Sequence, residues 1–200
     1  MTTIYTINNK VLTNDSKWLT ESSIPPTPVF PYQTITIGNR IWFMENLHET
    51  DDGSGIYVVN NVSANGVDYG TQYFYNQAAA IRIANAFAQT YEGWRLPSET
   101  DFNNLASNAG GTGHTGFLAL ASTTGWNDSL NGNDTIGFNG YPVGQYTDGS
   151  HNNNGFECHF WSSNSSIRLM LSLYTDNGIS EIGWESSDKG YSVRLVKDVT

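Results

Sequence analysis

A single cysteine, Cys158, is all the thiol in these 200 residues, so no internal disulfide can form and a small cross-linked secreted scaffold is excluded. Basic residues are scarce too: nine Lys and Arg against nineteen Asp and Glu leave a formal net charge of −10. That sign is wrong for a partner whose phosphates must be neutralised by clustered cations, and nucleic acid is not an expected partner. No apolar run approaches the ~18 residues of a membrane span, so membrane insertion is not expected. The opening MTTIYTINNKVLTNDSKWL has no basic segment leading into an apolar one, which predicts a chain made without a secretory signal. His48, His114, His151 and His159 show no metal-ligand spacing, and neither Cys-x-x-Cys nor Gly-x-Ser-x-Gly occurs. Zinc chemistry and acyl transfer therefore have no support, no catalytic residue is assigned, and no cofactor is expected.

Glycine and aromatic residues are plentiful instead. Twenty glycines and 13% aromatics, with only 14% charged residues, describe a turn-rich domain built on an aromatic core. Residues 1–20 read as a small hairpin arm: Ile4, Tyr5 and Ile7 precede the turn-prone Asn8-Asn9, Val11 and Leu12 follow it, and Trp18 and Leu19 are later anchors. That is too little apolar surface to fold alone, so Ile4, Ile7, Val11, Trp18 and Leu19 are candidate attachment or oligomerisation residues. Residues 21–32 hold four of the six prolines and read as a semi-rigid linker of polyproline II character. The domain proper is expected over 33–200.

Within it, TITIGNRIWF (34–43) reads as a hairpin around Gly38-Asn39. NQAAAIRIANAFAQTYEG (76–93) predicts a helix capped by Asn76, stopped by Gly93, and buried along Ala79, Ile83, Ala86 and Phe87. In GWRLPSETDF (93–102), Pro97 sets the entry to a second helix, Ser98 caps it with Asp101 at the reciprocal position, and Phe102 and Leu105 form its buried stripe. Arg95 is expected in an ion pair or on carbonyls. From 113 to 155 the chain reads as long ordered loops pinned by Phe117, Trp126, Phe138, Tyr141 and Tyr146. Strand character returns at 159–163, 167–174, 178–184 and 191–198, as one small closing sheet. Alternation in IRLMLSLY puts Ile167, Leu169, Leu171 and Leu173 in the core and Arg168, Met170, Ser172 and Tyr174 outward.

The ordered series TITIGNRIWFMENL, YFYNQAAA, GWRLPSETDFNNL, GWND, GFNGYPVGQY, FWSS and GYSVRLVKD resembles the Fibrobacter major paralogous domain family from about residue 34 to residue 198. The resemblance implies an α+β, C-type-lectin-like fold of the kind shared with formylglycine-generating enzymes and retroelement-diversified variable proteins. Two helices pack there on a small twisted antiparallel sheet, with a loop-rich face displaying the C-terminal segment. Relatives often carry a Cys before the GWRLP motif and another in the terminal motif, where this chain has Tyr91-Glu92 and Leu195. The pair's absence fits assembly in a reducing cytoplasm and counts against a cell-surface lipoprotein.

Formylglycine generation needs paired reactive cysteines, which one cysteine cannot supply. NDSLNGNDT (127–135) and DGSHNNNG (148–155) carry oxygens of the type Ca²⁺ accepts, but they lack the closing Glu of an EF-hand and equally suit Asx turns. The ligand-contacting set is read as Arg168, Met170, Ser172 and Tyr174 from the strand, with Asn164, Asn177, Glu181 and Trp184 from its flanks, a mixture typical of adaptable binding surfaces. A solvated sheet face is the alternative, and Trp184 fits either an exposed anchor or a core position. The reading is a non-enzymatic recognition or display protein: a bacteriophage virion component held to virion proteins by its arm, homo-oligomeric, contacting a host surface glycan or protein. A purely structural decoration knob and a degenerate formylglycine-generating-type enzyme are the alternatives.

Overall fold

The computed structural model describes Thr6–Ile7, Lys10–Leu12 and Trp18–Thr20, then residues 29–174 and 178–199. The chain divides into two compact units, Met1–Pro31 and Tyr32–Thr200. In the first, β1 (Thr6–Ile7), β2 (Lys10–Leu12) and β3 (Trp18–Thr20) form a three-stranded antiparallel sheet. The expected two-stranded arm thus gains a third strand, in which Trp18 and Leu19 pair with Leu12 and Val11. Ile4 lies outside the described residues, as do linker residues 21–28.

The second unit opens with β4 (Thr34–Ile37) and β5 (Arg40–Phe43), joined by Gly38-Asn39. Gly38 carries a φ of 60°, the left-handed value that the first position of a tight hairpin turn takes most easily when it has no side chain. A long hairpin follows, β6 (Ile56–Ala64) and β7 (Val67–Tyr75). Asn65 and Gly66 close it, both at positive φ (45° and 78°), as a two-residue turn of the Asn-Gly kind demands. Helix α1 (Gln77–Thr90) starts where Asn76 Oδ1 accepts the Ala79 amide at 2.9 Å. It buries Ala79, Ala80, Ile83, Ala84 and Phe87. Ala86 is exposed, one position off the stripe that was expected to include it.

Helix α2 (Glu99–Asn108) has the complete reciprocal cap at Ser98 and Asp101, and it buries Phe102 and Leu105. A third helix, α3 (Gly113–Leu120), replaces the predicted loop. Its two glycines argue against a helix on propensity, but Phe117 and Leu120 are fully buried, and that burial outweighs local preference. The strands β8 (Gln145–Thr147) and β9 (Ser150–Asn152) form a short hairpin, and β10 (Glu157–Trp161), β11 (Ile167–Ser172) and β12 (Ile179–Trp184) form an antiparallel sheet. The last strand, β13 (Val196–Asp198), joins neither. It pairs with β5, Val196 opposite Trp42, so the final segment does not extend the sheet it was expected to complete. Residues 191–195 instead run between the sheets, with Ser192 bridging Phe160 and Tyr191 bridging Tyr75.

The architecture is thus α+β, with three helices and several small antiparallel sheets. One core cluster joins α2 and α3 to β4, β5, β10, β11 and β13, and a smaller one gathers Val62 and Phe74 of the β6–β7 hairpin with Val143. Trp42, Phe102, Phe117, Trp126, Phe138 and Phe160 lie in the larger cluster beside Leu169 and Leu171 of β11. Phe138 meets Trp42 and Phe160 edge-on, with centroids 5.8 and 5.4 Å apart, the geometry that ring quadrupoles favour. Cys158 sits in the same cluster, fully buried, and burial pushes its thiol well above the ordinary range. It packs as a small apolar group and is no nucleophile.

Candidate ligand-contacting site

The register of β10–β12 sorts its side chains into two faces. Leu169 lies between Phe160 and Ile182, and Leu171 between Cys158 and Ser180. Leu169 and Leu171 lie in the core cluster and Leu173 packs against it, as the alternation predicted, whereas Ile167, at the start of the strand, is half-buried and outside it. On the other face Arg168 lies between Trp161 and Gly183, Met170 between His159 and Glu181, and Ser172 between Glu157 and Ile179.

This second face is only partly open. Arg168 retains 7% and Ser172 3% of its surface, so neither is presented to solvent as expected. Tyr191 supplies the cover over β10, its ring stacked on His159 at 4.4 Å and against Trp161 at 4.6 Å. Towards β12 the cover ends: Met170 and Ile179 are half-buried and Glu181 is exposed. Arg168 reaches out to this edge, its Nη1 3.4 Å from Glu181 Oε1.

Glu157 anchors the buried part. Its Oε2 accepts from Asn153 Nδ2 at 2.8 Å and faces His159 Nε2 at 3.2 Å, while Oε1 accepts from the Ser172 hydroxyl at 3.2 Å. Desolvation raises the Glu157 carboxyl, but these partners outweigh it and hold it below its ordinary value. For His159 desolvation dominates and lowers the imidazole, against the pull of Glu157. The pair is therefore carboxylate and neutral imidazole. Nε2 carries the proton shared with Glu157, and Nδ1 is left as an acceptor. Among the described residues, His159 Nδ1, Arg168 Nε and Gln145 Oε1 are buried polar atoms with no hydrogen-bond partner.

The remaining predicted residues are distributed around this face. Tyr174, beyond the end of β11, is 57% exposed, stacked on Phe156 at 5.2 Å, with its hydroxyl donating to Asn153 Oδ1 at 3.2 Å. It is linked through Asn153 to Glu157. Trp184 is 71% exposed, but it pairs with Ile167 and so belongs to the opposite face. Asn164 is scaffold: its Oδ1 accepts the Glu99 amide at 2.8 Å and its carbonyl accepts Gln77 Nε2 at 2.7 Å, tying the β10–β11 turn to the starts of α2 and α1. Asn177 lies outside the described residues. Arg168, Met170, Ser172 and Glu181 therefore come together, Tyr174 adjoins them, and Asn164 and Trp184 do not.

Sequence reasoning passed over Glu157, His159 and Tyr191. The alternation of Glu157-Cys158-His159 around a buried cysteine was a usable signal for the first two. Tyr191 carries none, since its stacking depends on a segment that crosses between sheets.

In the 127–135 loop, three of the calcium-type oxygens hold backbone amides. Asn131 Oδ1 accepts the Trp126 amide, Asn133 Oδ1 that of Thr135, and Asp134 Oδ1 that of Asn139. No three His, Cys, Asp or Glu side chains among the described residues converge as a metal site. No described helix is long and apolar enough to cross a membrane.

No curated protein and no solved structure matches the chain. The Fibrobacter succinogenes major domain model matches residues 35–197, a span that runs from β4 into β13 and takes in every element of the second unit. The chain belongs to the Fibrobacter succinogenes major domain family.

Proposed function

We propose that the chain is a non-enzymatic recognition protein whose ligand-contacting surface is the Met170–Glu181 edge of the β10–β12 sheet, held from beneath by the buried Arg168, with Tyr174 beside it. The observation that carries this reading is the register. One face of the sheet is spent on the core, while the other sets Arg168, Met170 and Glu181 on a buried Glu157–His159 foundation and opens at its edge. Rigid support beneath a few accessible side chains is what a pre-organised binding surface requires. A C-type-lectin-like arrangement is proposed with it, supported by pairing of an early strand with the last, β5 with β13, and by helices packed against small antiparallel sheets.

The biological setting proposed is a bacteriophage virion, with residues 1–20 as the attachment and oligomerisation segment and a host surface glycan or protein as the ligand. Its support is the division of the chain at Pro31 and the acidic charge. The test is binding of the fluorescently labelled full chain to a panel of bacterial cells, comparing wild type with Glu181→Ala and Tyr174→Ala. Tyr174→Ala should melt like wild type, Glu181→Ala should melt lower because it takes the carboxylate from the buried Arg168, and both should bind at least tenfold more weakly. Unchanged cell binding by the double variant would reject the sheet edge as the contact surface, and absence of binding to every cell type would favour a purely structural knob.

A further inference from the structure

A second concavity lies apart from the sheet face and shares no residue with it. It is a cleft of ≈ 390 Å³ between the segment after β5 and strand β7, walled by Glu45, His48, Tyr69, Thr71, Tyr73 and Tyr141. Its volume falls in the ~300–1,000 Å³ range of small-molecule sites. Its floor is Asn46 and Gln72, both buried. Asn46 Nδ2 donates to Gln72 Oε1 at 3.3 Å and to the Ser192 hydroxyl at 3.1 Å, its backbone amide donates to the Tyr141 hydroxyl at 2.9 Å, and its Oδ1 accepts from Arg194 Nε at 3.1 Å. The floor is therefore fixed by a hydrogen-bonded network reaching a fully buried arginine.

The walls differ in having capacity to spare. Among the described residues, the Tyr73 hydroxyl and both His48 ring nitrogens have no hydrogen-bond partner. Glu45 uses only Oε1, on the Gln33 amide. The Thr71 hydroxyl donates to Asn60 Oδ1 and keeps its lone pairs.

The lining selects the ligand class. An anion finds no Lys or Arg on the walls and meets the Glu45 carboxylate. The Arg194 donors below are taken by Asn46 and by the carbonyls of Phe138 and Asn139. A metal ion finds one carboxylate, too few for a hard cation. A flat heteroaromatic ring needs a slot, but Tyr69 and Tyr141 stack on each other at 5.1 Å and leave none. A ligand with many hydroxyls, each able to donate and accept, matches Tyr73, His48, Thr71 and Glu45 together, and its C–H faces can lie on tyrosine rings, which combine apolar area with polar tips. We propose that this cleft is a binding subsite for one unit of a neutral saccharide.

The probes are galactose, glucose, mannose and N-acetylglucosamine, with glucuronic acid and inorganic phosphate as charged comparators, titrated into the full chain and followed by calorimetry and saturation-transfer NMR. At least one neutral sugar should bind with a Kd on the order of 1 mM, the range open to so small a ligand. Tyr73→Phe and Glu45→Gln should each weaken it about fivefold or more without changing the melting temperature. Tighter binding of glucuronic acid or phosphate, no binding of any neutral sugar, or affinity retained in the Tyr73→Phe/Glu45→Gln double variant would each overturn the assignment. Sugar binding lost in Glu181→Ala but kept in the Tyr73→Phe/Glu45→Gln double variant would place the sugar at the sheet edge and overturn the cleft, so the two sites succeed or fail separately.

Discussion

Trp184 stands directly opposite Ile167 in the β11–β12 ladder, which assigns its indole to the side of Leu169 and Leu171 and away from Arg168 and Glu181. A sheet pairs side chains by register, so nearness in sequence to Glu181 does not make Trp184 part of the same surface. Because the indole is 71% exposed, Trp184→Ala should cost no more than about 0.5 kcal/mol of stability. Cell binding through the Glu181 edge should be unchanged. Thermal melting and the cell-binding assay on one sample check both statements, and a loss of ~3 kcal/mol or more would mean that the ring is buried in solution.

Asp101 carries more structural weight than its neighbour Ser98. It is 1% exposed, and its two oxygens accept from Arg95 Nη1 at 2.5 Å, Arg40 Nε at 2.6 Å, the Ser98 hydroxyl at 2.7 Å and the Ser98 amide at 2.8 Å. Ser98→Ala removes one cap oxygen and should cost ~1 kcal/mol. Asp101→Ala removes the reciprocal cap and leaves two arginines with only the exposed Asp198, whose Oδ1 lies 3.2 Å from Arg40 Nε and 3.3 Å from Arg95 Nη2. Both arginines are part-exposed and can recover some hydration, so the expected cost is about 2–4 kcal/mol, under the full penalty of breaking a buried pair. Denaturant melts of the two variants should rank in that order, and an equal loss would reduce Asp101 to its capping role.

The Glu157–His159 pair predicts how stability responds to acid. The folded protein lowers His159 below its ordinary 6.5, so the unfolded chain takes up that proton first. The contribution is complete above about pH 6.5 and is lost as pH falls through the lowered folded value. Arg168 adds to the resistance, while Glu157 and Glu185 oppose it. Glu157 and Asp101 are held below their ordinary values of 4.5 and 3.8 by their donors, against desolvation, so their contributions go only below those values. Acid should therefore weaken the fold in two stages, and His159→Gln should remove the first, which sets in below about pH 6.5, while leaving the second. Denaturation midpoints measured from pH 7.5 to pH 3 test this, and an unchanged profile in the variant would show that His159 does not titrate with folding.

Legibility followed the range of the interaction. Asn76, Ser98 and Asp101 were readable because a cap is decided within four residues, and the Leu169–Leu171 stripe because alternation is local. Helix α3 was missed because Gly113 and Gly116 disguise a segment whose helicity depends on burying Phe117 and Leu120. The β6–β7 hairpin carried its signal in Asn65-Gly66, between two apolar runs. What local pattern could not convey was the cover: Arg168 and Ser172 alternate like solvent-facing residues, yet Tyr191 lies over His159 and Trp161 beside Arg168, and Ser172 is held by Glu157 and the Tyr174 amide. The cleft lined by Tyr73 and Tyr141 is likewise assembled from three separate stretches of chain.

Arg194 is the clearest case of such a residue. It alternates with Val193 and Leu195 as though it pointed outward, yet it is fully buried, with its guanidinium over the rings of Phe138 at 4.5 Å, Phe160 at 5.1 Å and Tyr141 at 5.2 Å. No carboxylate pairs with it among the described residues. Its donors go to the Phe138 carbonyl, the Asn139 carbonyl at 2.8 Å and Asn46 Oδ1 at 3.1 Å, and desolvation lowers its pKa. A planar fork that serves three acceptors while three rings face it cannot be copied by an ammonium group. Arg194→Lys should therefore cost about 2–4 kcal/mol, from unsatisfied buried acceptors and a desolvated point charge. Arg194→Met keeps much of the volume and removes the buried charge, leaving the acceptors unmet, so it should be no worse than Arg194→Lys. Because Asn46 is the floor of the cleft, both variants should also loosen it, visible as faster exchange of the Asn46 and Gln72 side-chain amides by NMR. Wild-type stability in Arg194→Lys would show that the carbonyls and rings do not depend on the guanidinium, and unchanged amide exchange would detach the cleft floor from it.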